Sequence, residues 1–368
     1  MGNERRTVRS GWLSIVLISC AVTSFATDPP LPKPVATLAL TEMNLSCKRE
    51  CAWATVAFLS ETSIAVGRCR QDCSSKECSL VIVRWEDGTL RPFAQTRRFD
   101  SGLAIHPAGE GKILAGQPWL PTTIEYSADL SSVRDLPIHL WDVSPAGGTV
   151  GEGARGSWKL YRLTDRWEPL RGGTGGIRSV SDEAVVIQDG KTLTVETLEG
   201  KRLGSFSVPD EVWGFHARLL GNNQLSLADC SRTVRVVDFA GKKQLTIKQS
   251  GLCGQGDTTS SADGRRILFD FTGHKTSGLL HVLENIQTIT SLGMIGPEDY
   301  NQEQVRVFDT VTGKLCFEWH RSFRMTYRQI RSAAISPSGE FIAITEGNTL
   351  SIYRLPAVCE GPTVAARK

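Results

Sequence analysis

The chain has 368 residues, 40% of them hydrophobic and 22% charged, the balance of an ordinary folded protein with room for a large core. Its formal charge is +3, and without residues 1–26, which hold Arg5, Arg6, Arg9 and Glu4, it falls to +1. No basic excess and no block of like charges remains, which excludes the electrostatic footprint of a nucleic-acid-binding protein.

Residues 1–26 read as a secretory signal peptide. Arg5, Arg6 and Arg9 form a positive start, Trp12 to Ile18 an apolar stretch, and Ser24-Phe25-Ala26 a small-residue cleavage site. The apolar stretch ends by Ala26, short for a permanent membrane span. Leu17-Ile18-Ser19-Cys20 also resembles a bacterial lipoprotein box, which would lipidate Cys20 and tether the protein to a membrane face. Apolar residues continuing through Ala21, Val22 and Phe25 argue instead for cleavage near Ala26. The mass of the mature protein separates the two readings, as acyl chains on Cys20 or a free Thr27 terminus. Both place the protein outside the cytosol: periplasmic, at the cell surface or secreted, with an outer-membrane-anchored lipoprotein as the lipidated form.

Residues 27–46 begin with Asp28-Pro29-Pro30-Leu31-Pro32-Lys33-Pro34, a stiff extended linker, followed by the strand-like Val35-Ala36-Thr37-Leu38-Ala39-Leu40. Nine cysteines lie beyond Cys20, a usage that fits an oxidising compartment. Cys230 and Cys253 fall close enough to pair locally, and Cys316 and Cys359 can join the last two units of the repeat described below. Cys47, Cys51, Cys69, Cys73 and Cys78 read as staples for the first unit; five is odd, so one is free or bridges elsewhere, and the connectivity stays open. Their spacing approaches that of zinc ligands, but no His lies nearby and no Cys-x-x-Cys-His haem motif is present. No metal and no cofactor is expected.

From residue 47 to 359 one pattern recurs. An apolar strand runs into a Ser/Pro/Asp/Gly turn, a second apolar strand follows, and then an alternating strand runs into a Gly or Asp turn. The clearest first half is Ser332-Ala333-Ala334-Ile335-Ser336-Pro337-Ser338-Gly339 with Phe341-Ile342-Ala343-Ile344. The clearest second half is Val305-Arg306-Val307-Phe308-Asp309-Thr310-Val311-Thr312-Gly313-Lys314. Turns near positions 60, 107, 145, 182, 221, 262 and 337 step by roughly 40 residues, the period of a four-stranded propeller blade. The step from 262 to 337 is nearly double. It reads as one blade with an insertion at about 272–304, the alternative being a diverged eighth blade. The fold expected is all-β, a seven-bladed β-propeller of four-stranded antiparallel blades. The last unit lacks an outer strand after Leu355-Pro356, and Val35–Leu40 is expected to supply it, leaving 360–368 as a disordered tail.

The Asp-x-x-x-Gly-Lys strand ending and the Ile335-Ser336-Pro337-Ser338-Gly339 turn resemble those of WD-repeat-like and YVTN-type β-propellers. The resemblance covers roughly residues 47–356 and is one of fold; the paired Gly-His and Trp-Asp signatures of true WD repeats are missing, and Trp141-Asp142 opens a unit rather than closing one. It implies a rigid platform, most often for protein partners, and carries over no functional residues.

Local chemistry is sparse. His106, His139, His216, His274, His281 and His320 show no metal-ligand spacing, and His106 reads as a turn residue. Gly172-Gly173-Thr174-Gly175-Gly176 lacks the Lys of a phosphate loop and reads as an inter-blade linker. Trp85 and Trp319 are expected to pack between blades, with Trp119, Trp167 and Trp213 beside turns. The function expected is that of an exported, monomeric, non-catalytic platform for another protein, a cell-envelope component or a ligand. Nucleic acid is not an expected partner, and a membrane is one only if Cys20 is lipidated. The alternative is a propeller-type hydrolase or lactonase with its site in the central funnel, which requires carboxylates or His to converge there. Glu61, His106, Glu183 and Asp263 are the residues that would have to meet, and they are expected not to cluster.

Overall fold

A strand buried on both faces reads as a continuous apolar run, and the middle strands of the repeats do so: Leu80-Val81-Ile82-Val83, Ala184-Val185-Val186-Ile187, Phe341-Ile342-Ala343-Ile344. Alternate side chains point to opposite faces, so each sheet needs a neighbour on both sides. The computed structural model describes residues 32–43, 51–71, 76–100, 103–117, 120–154, 156–164, 166–207, 216–220, 223–229, 233–248, 258–274, 301–323 and 332–360. Within them the chain forms a seven-bladed β-propeller, each blade a four-stranded antiparallel sheet.

The first strand of the chain, β1 (Ala36–Ala39), stands apart from the blade that follows it. Blade 1 holds β2 (Cys51–Phe58), β3 (Ser63–Gln71), β4 (Lys76–Glu86) and β5 (Thr89–Thr96). Blade 2 holds β6 (Ala104–Ala108), β7 (Lys112–Gly116), β8 (Thr123–Ser127) and β9 (Val133–Leu136). Blade 3 holds β10 (Leu140–Val143), β11 (Thr149–Ala154), β12 (Ser157–Leu163) and β13 (Trp167–Thr174). Blade 4 holds β14 (Gly176–Val180), β15 (Ala184–Asp189), β16 (Thr192–Thr197) and β17 (Arg202–Ser207). Blade 5 holds β18 (His216–Leu220), β19 (Gln224–Asp229), β20 (Thr233–Asp238) and β21 (Lys243–Lys248). Blade 6 holds β22 (Thr258–Ser260), β23 (Arg266–His274), β24 (Asn301–Asp309) and β25 (Leu315–Phe323). Blade 7 holds β26 (Ser332–Ile335), β27 (Phe341–Glu346) and β28 (Thr349–Arg354), with β1 as its outermost strand.

The core is divided among the seven seams between blades, and each seam has its own apolar cluster. Val81 and Val83 face blade 7 together with Leu38, Ala343 and Ile352, while Leu80 and Ile82 of the same strand face blade 2 with Ile105 and Ile113. The remaining seams repeat the scheme: Leu114 with Val150, Leu160 with Val185, Val186 with Leu219, Val236 with Phe269, and Val307 with Ile344. Trp319, only 1% exposed, fills the seam between blades 6 and 7. Trp85 meets Phe341 edge-on at 4.3 Å across the seam between blades 7 and 1.

The two chain ends close the ring. β1 runs antiparallel to β28 with Ala36 opposite Ile352 and Ala39 opposite Thr349. Flanking bonds from Val35 N–H to the Ile352 carbonyl and from Leu40 N–H to the Asn348 carbonyl, both 2.7 Å, lengthen the ladder. β1 alternates as a half-buried strand should, with Ala36 and Leu38 inward and Thr37 and Ala39 outward. A second fastening joins blades 6 and 7: Cys316 on β25 is disulfide-bonded to Cys359 beyond β28, and the Arg266 guanidinium donates to the carbonyls of Gly339 and Pro356. The double substitution Cys316→Ser/Cys359→Ser is expected to cost ~4 kcal/mol on the chain-entropy account of a 43-residue separation, read as a lower urea midpoint with a somewhat higher m-value, because the unlinked unfolded chain exposes more surface. Cys78 is also disulfide-bonded. The side chains of Cys20, Cys47, Cys51, Cys69, Cys73, Cys230 and Cys253 lie outside the described residues, as does the signal segment.

The long step in the repeat falls inside blade 6. Residues 272–274 and 301–304, read from the sequence as insertion, are strand: β23 and β24 pair from Arg266↔Asp309 to His274↔Asn301. Backbone pairing continues past the apolar part of these strands, where composition gives no strand signal. Residues 275–300, including His281, lie outside the described residues. Among the described residues there is no eighth sheet.

Candidate functional site

Two sets of polar groups stand where a propeller can meet a ligand: the turns of one face, and the inner strands around the axis. In an antiparallel blade the turn joining strands one and two and the turn joining strands three and four share an end. In blade 6 they touch, with Thr310 donating from N–H to the Arg265 carbonyl and from Oγ1 to the Gly264 carbonyl. Asp309 organises the second of these turns. Burial alone would raise its pKa, but hydrogen bonds from Thr312 and Val311 outweigh it and hold the carboxyl below its ordinary value.

On that face, turns of adjacent blades hydrogen-bond to one another. Gly109 N–H donates to the Gly147 carbonyl at 2.8 Å, and Ala262 N–H to the Pro337 carbonyl at 2.8 Å. Ser144 Oγ donates to Asp182 Oδ1 at 2.6 Å. Ser338 donates to the Glu61 carboxylate from N–H at 2.5 Å and from Oγ at 2.7 Å. Gly147 is required at its place. Its φ is +77°, and a Cβ would stand 2.7 Å from Ala108 Cα in the neighbouring blade.

Glu61, His106, Glu183 and Asp263 belong to four different blades. Glu61 ties blade 1 to blade 7. Asp263 accepts from Ser261 Oγ at 2.6 Å and Arg265 N–H at 2.9 Å within its own turn, and Glu183 is exposed. His106 is not a turn residue: it lies inside β6 opposite Leu114, because the turn begins only at Gly109. Among the described residues no three His, Cys, Asp or Glu side chains are grouped to hold a metal ion.

The inner strands carry a polar arc that local sequence did not reveal. In each, the residue facing the following blade at one fixed depth can be identified from its pairing partner. It is Ala57 opposite Ala65, His106 opposite Leu114, Asp142 opposite Gly151, Ser179 opposite Val186, Arg218 opposite Ser226, Thr259 opposite Leu268 and Ala334 opposite Ala343. Blades 2 to 6 therefore carry a polar side chain where blades 7 and 1 carry alanine. In β6 and β10 the signal was present as a lone polar residue, His106 or Asp142, in an otherwise apolar first strand.

Two members of the arc join their blade to the next. Asp142, 6% exposed, accepts from Ser179 Oγ at 2.9 Å and Val180 N–H at 2.8 Å. Ser179 Oγ in turn accepts from Leu219 N–H at 3.1 Å. Asp142→Ala leaves a buried hydroxyl and a buried N–H without their acceptor and is expected to cost about 3 kcal/mol, measured by urea denaturation. Beside the arc, Arg178 Nε donates to Gln188 Oε1 at 2.6 Å, and burial lowers the pKa of its guanidinium.

The remaining aromatic candidate described, Trp167, is structural: Nε1 donates to Glu125 at 2.9 Å and the ring packs edge-on against Tyr161. Trp119 and Trp213 lie outside the described residues. Gly172 and Gly173 belong to β13 and Gly176 opens β14, so the glycine run is the connection between blades 3 and 4. The geometry defines a β-propeller that resembles WD-repeat-like and YVTN-type rings in fold. No protein-family model matches the chain, and no curated protein matches it either.

Proposed function

We propose that the protein is an exported, non-catalytic β-propeller that presents its turn face to a protein partner of the cell envelope. The observation that supports this is the use made of the carboxylates. Glu61, one of the carboxylates a funnel hydrolase would need free, is hydrogen-bonded across the seam between blades 7 and 1, and Asp182 is held likewise between blades 3 and 4. Such latches tie the turns of adjacent blades together at four of the seven seams, and rigidity reduces the ordering cost of association. Exposed groups remain on that surface for recognition, notably Val311, 72% exposed, and Glu183.

The test is affinity capture from envelope extract with wild-type protein and with Val311→Asp/Glu183→Arg, a pair whose exposure predicts unchanged melting. A partner retained by wild type and lost from the double variant supports the reading. Equal capture by both proteins, or turnover of a lactone or aryl ester panel by the purified wild type, overturns it.

A further inference from the structure

The seam between blades 5 and 6 breaks the rule that the two seams before it obey. From blade 3 to 4 and from 4 to 5, an acceptor on the inner strand, Asp142 or Ser179, takes the N–H of Val180 or Leu219 in the following blade. In blade 5 that acceptor is replaced by Arg218, a side chain that only donates. Ser260 faces it from blade 6, since it pairs with Ile267, a member of the cluster in this seam. Ser260 therefore holds the position of Val180 and Leu219. Arg218 Nε and Ser260 Oγ are both buried and both lack a hydrogen-bond partner. The inner strands of these two blades, β18 and β22, are also the least closely packed neighbouring pair in the ring.

A buried guanidinium N–H and a buried hydroxyl on facing strands, each without a hydrogen-bond partner, call for a group that can accept from both. A guanidinium matches a planar or tetrahedral oxyanion, to which it can present two N–H groups at once. Arg178, on the adjacent inner strand, shows the contrast: its Nε already has Gln188.

We infer that the inner edge of the seam between blades 5 and 6 is a receptor for a small-molecule oxyanion, a carboxylate or a phosphate, bound by Arg218 and Ser260. The site lies between inner strands and is independent of the partner proposed for the turn face.

Titration calorimetry at low ionic strength with acetate, succinate and inorganic phosphate tests it, with each anion's effect on the melting temperature as a second readout. Saturable binding of at least one anion is expected, and the anion that binds tells carboxylate from phosphate. Arg218→Met weakens that binding about 10- to 100-fold, the loss expected for a charge-assisted hydrogen bond. Arg178→Met leaves it unchanged. Ser260→Ala, a smaller change that keeps the strand intact, weakens it less than Arg218→Met and decides the matter if the arginine variant does not fold. The inference is overturned if none of the three anions binds saturably. It is also overturned if Arg218→Met, or Ser260→Ala where only that variant folds, binds as tightly as wild type.

Discussion

Removal of residues 27–45 is expected to abolish cooperative thermal unfolding of the propeller. The deletion takes away β1, whose Ala36 and Leu38, with Leu40 just beyond, are buried in the seam between blades 7 and 1. Each leucine contributes about 1.5–3 kcal/mol of burial. Loss of the strand also leaves β28 with a row of unpaired backbone groups, the kind of edge that templates aggregation. The damage spreads because that cluster draws on both blades: Val81, Val83, Ala343 and Ile352 lose cover together. Differential scanning calorimetry should show a broad, low-enthalpy transition in place of a single sharp one. Leu38→Ala, which keeps the strand and its ladder, should remain cooperative and lose about 3 kcal/mol. A truncated protein that melts as sharply as the full chain would mean that β1 is dispensable.

Gly204→Ala is the single substitution with the largest expected effect. Gly204 lies on β17, the outer strand of blade 4, directly against the turn after β20 in blade 5. A methyl there would overlap the Phe239 carbonyl oxygen and press on the Phe239 carbonyl carbon at 2.5 Å. Both obstacles are main chain, so no side-chain rotation relieves them. Blades 4 and 5 must part at the rim, which disturbs the packing of Phe206 and Phe239 on Leu193, Val195 and Val237. The expected cost is about 3 kcal/mol or more, seen as a lower urea midpoint. Gly88→Ala provides the control. Its φ is +74°, but nothing lies within 4 Å of the added methyl, so only the backbone penalty of about 1 kcal/mol applies.

The fold was legible because the repeat is written in its most constrained parts. The described middle strands are buried on both faces and the turn at Ser336 is closed by its own hydrogen bonds, so Ser336-Pro337-Ser338-Gly339 and its relatives mark blades clearly. The outer strands were harder to read. β9 is Val-Arg-Asp-Leu and β17 is Arg-Leu-Gly-Ser-Phe-Ser, and an exposed edge places little demand on side chains. The seam latches were invisible for another reason. Glu61 and Ser338 are 277 residues apart, and nothing in either local sequence announces the other. The polar arc from His106 to Thr259 was legible in principle. His106 and Asp142 are lone polar residues in apolar strands, but the depth of every member is defined only once the strands are in register.

Ring closure also orders events in time. Residue 36 pairs with residue 352, so β1 must wait through the synthesis of the strands between them before it can pair. Until then every nascent intermediate exposes one unfinished sheet. A chain cut short before residue 349 leaves β1 without its mate and a sheet edge exposed, the kind of state on which proteases and aggregation act.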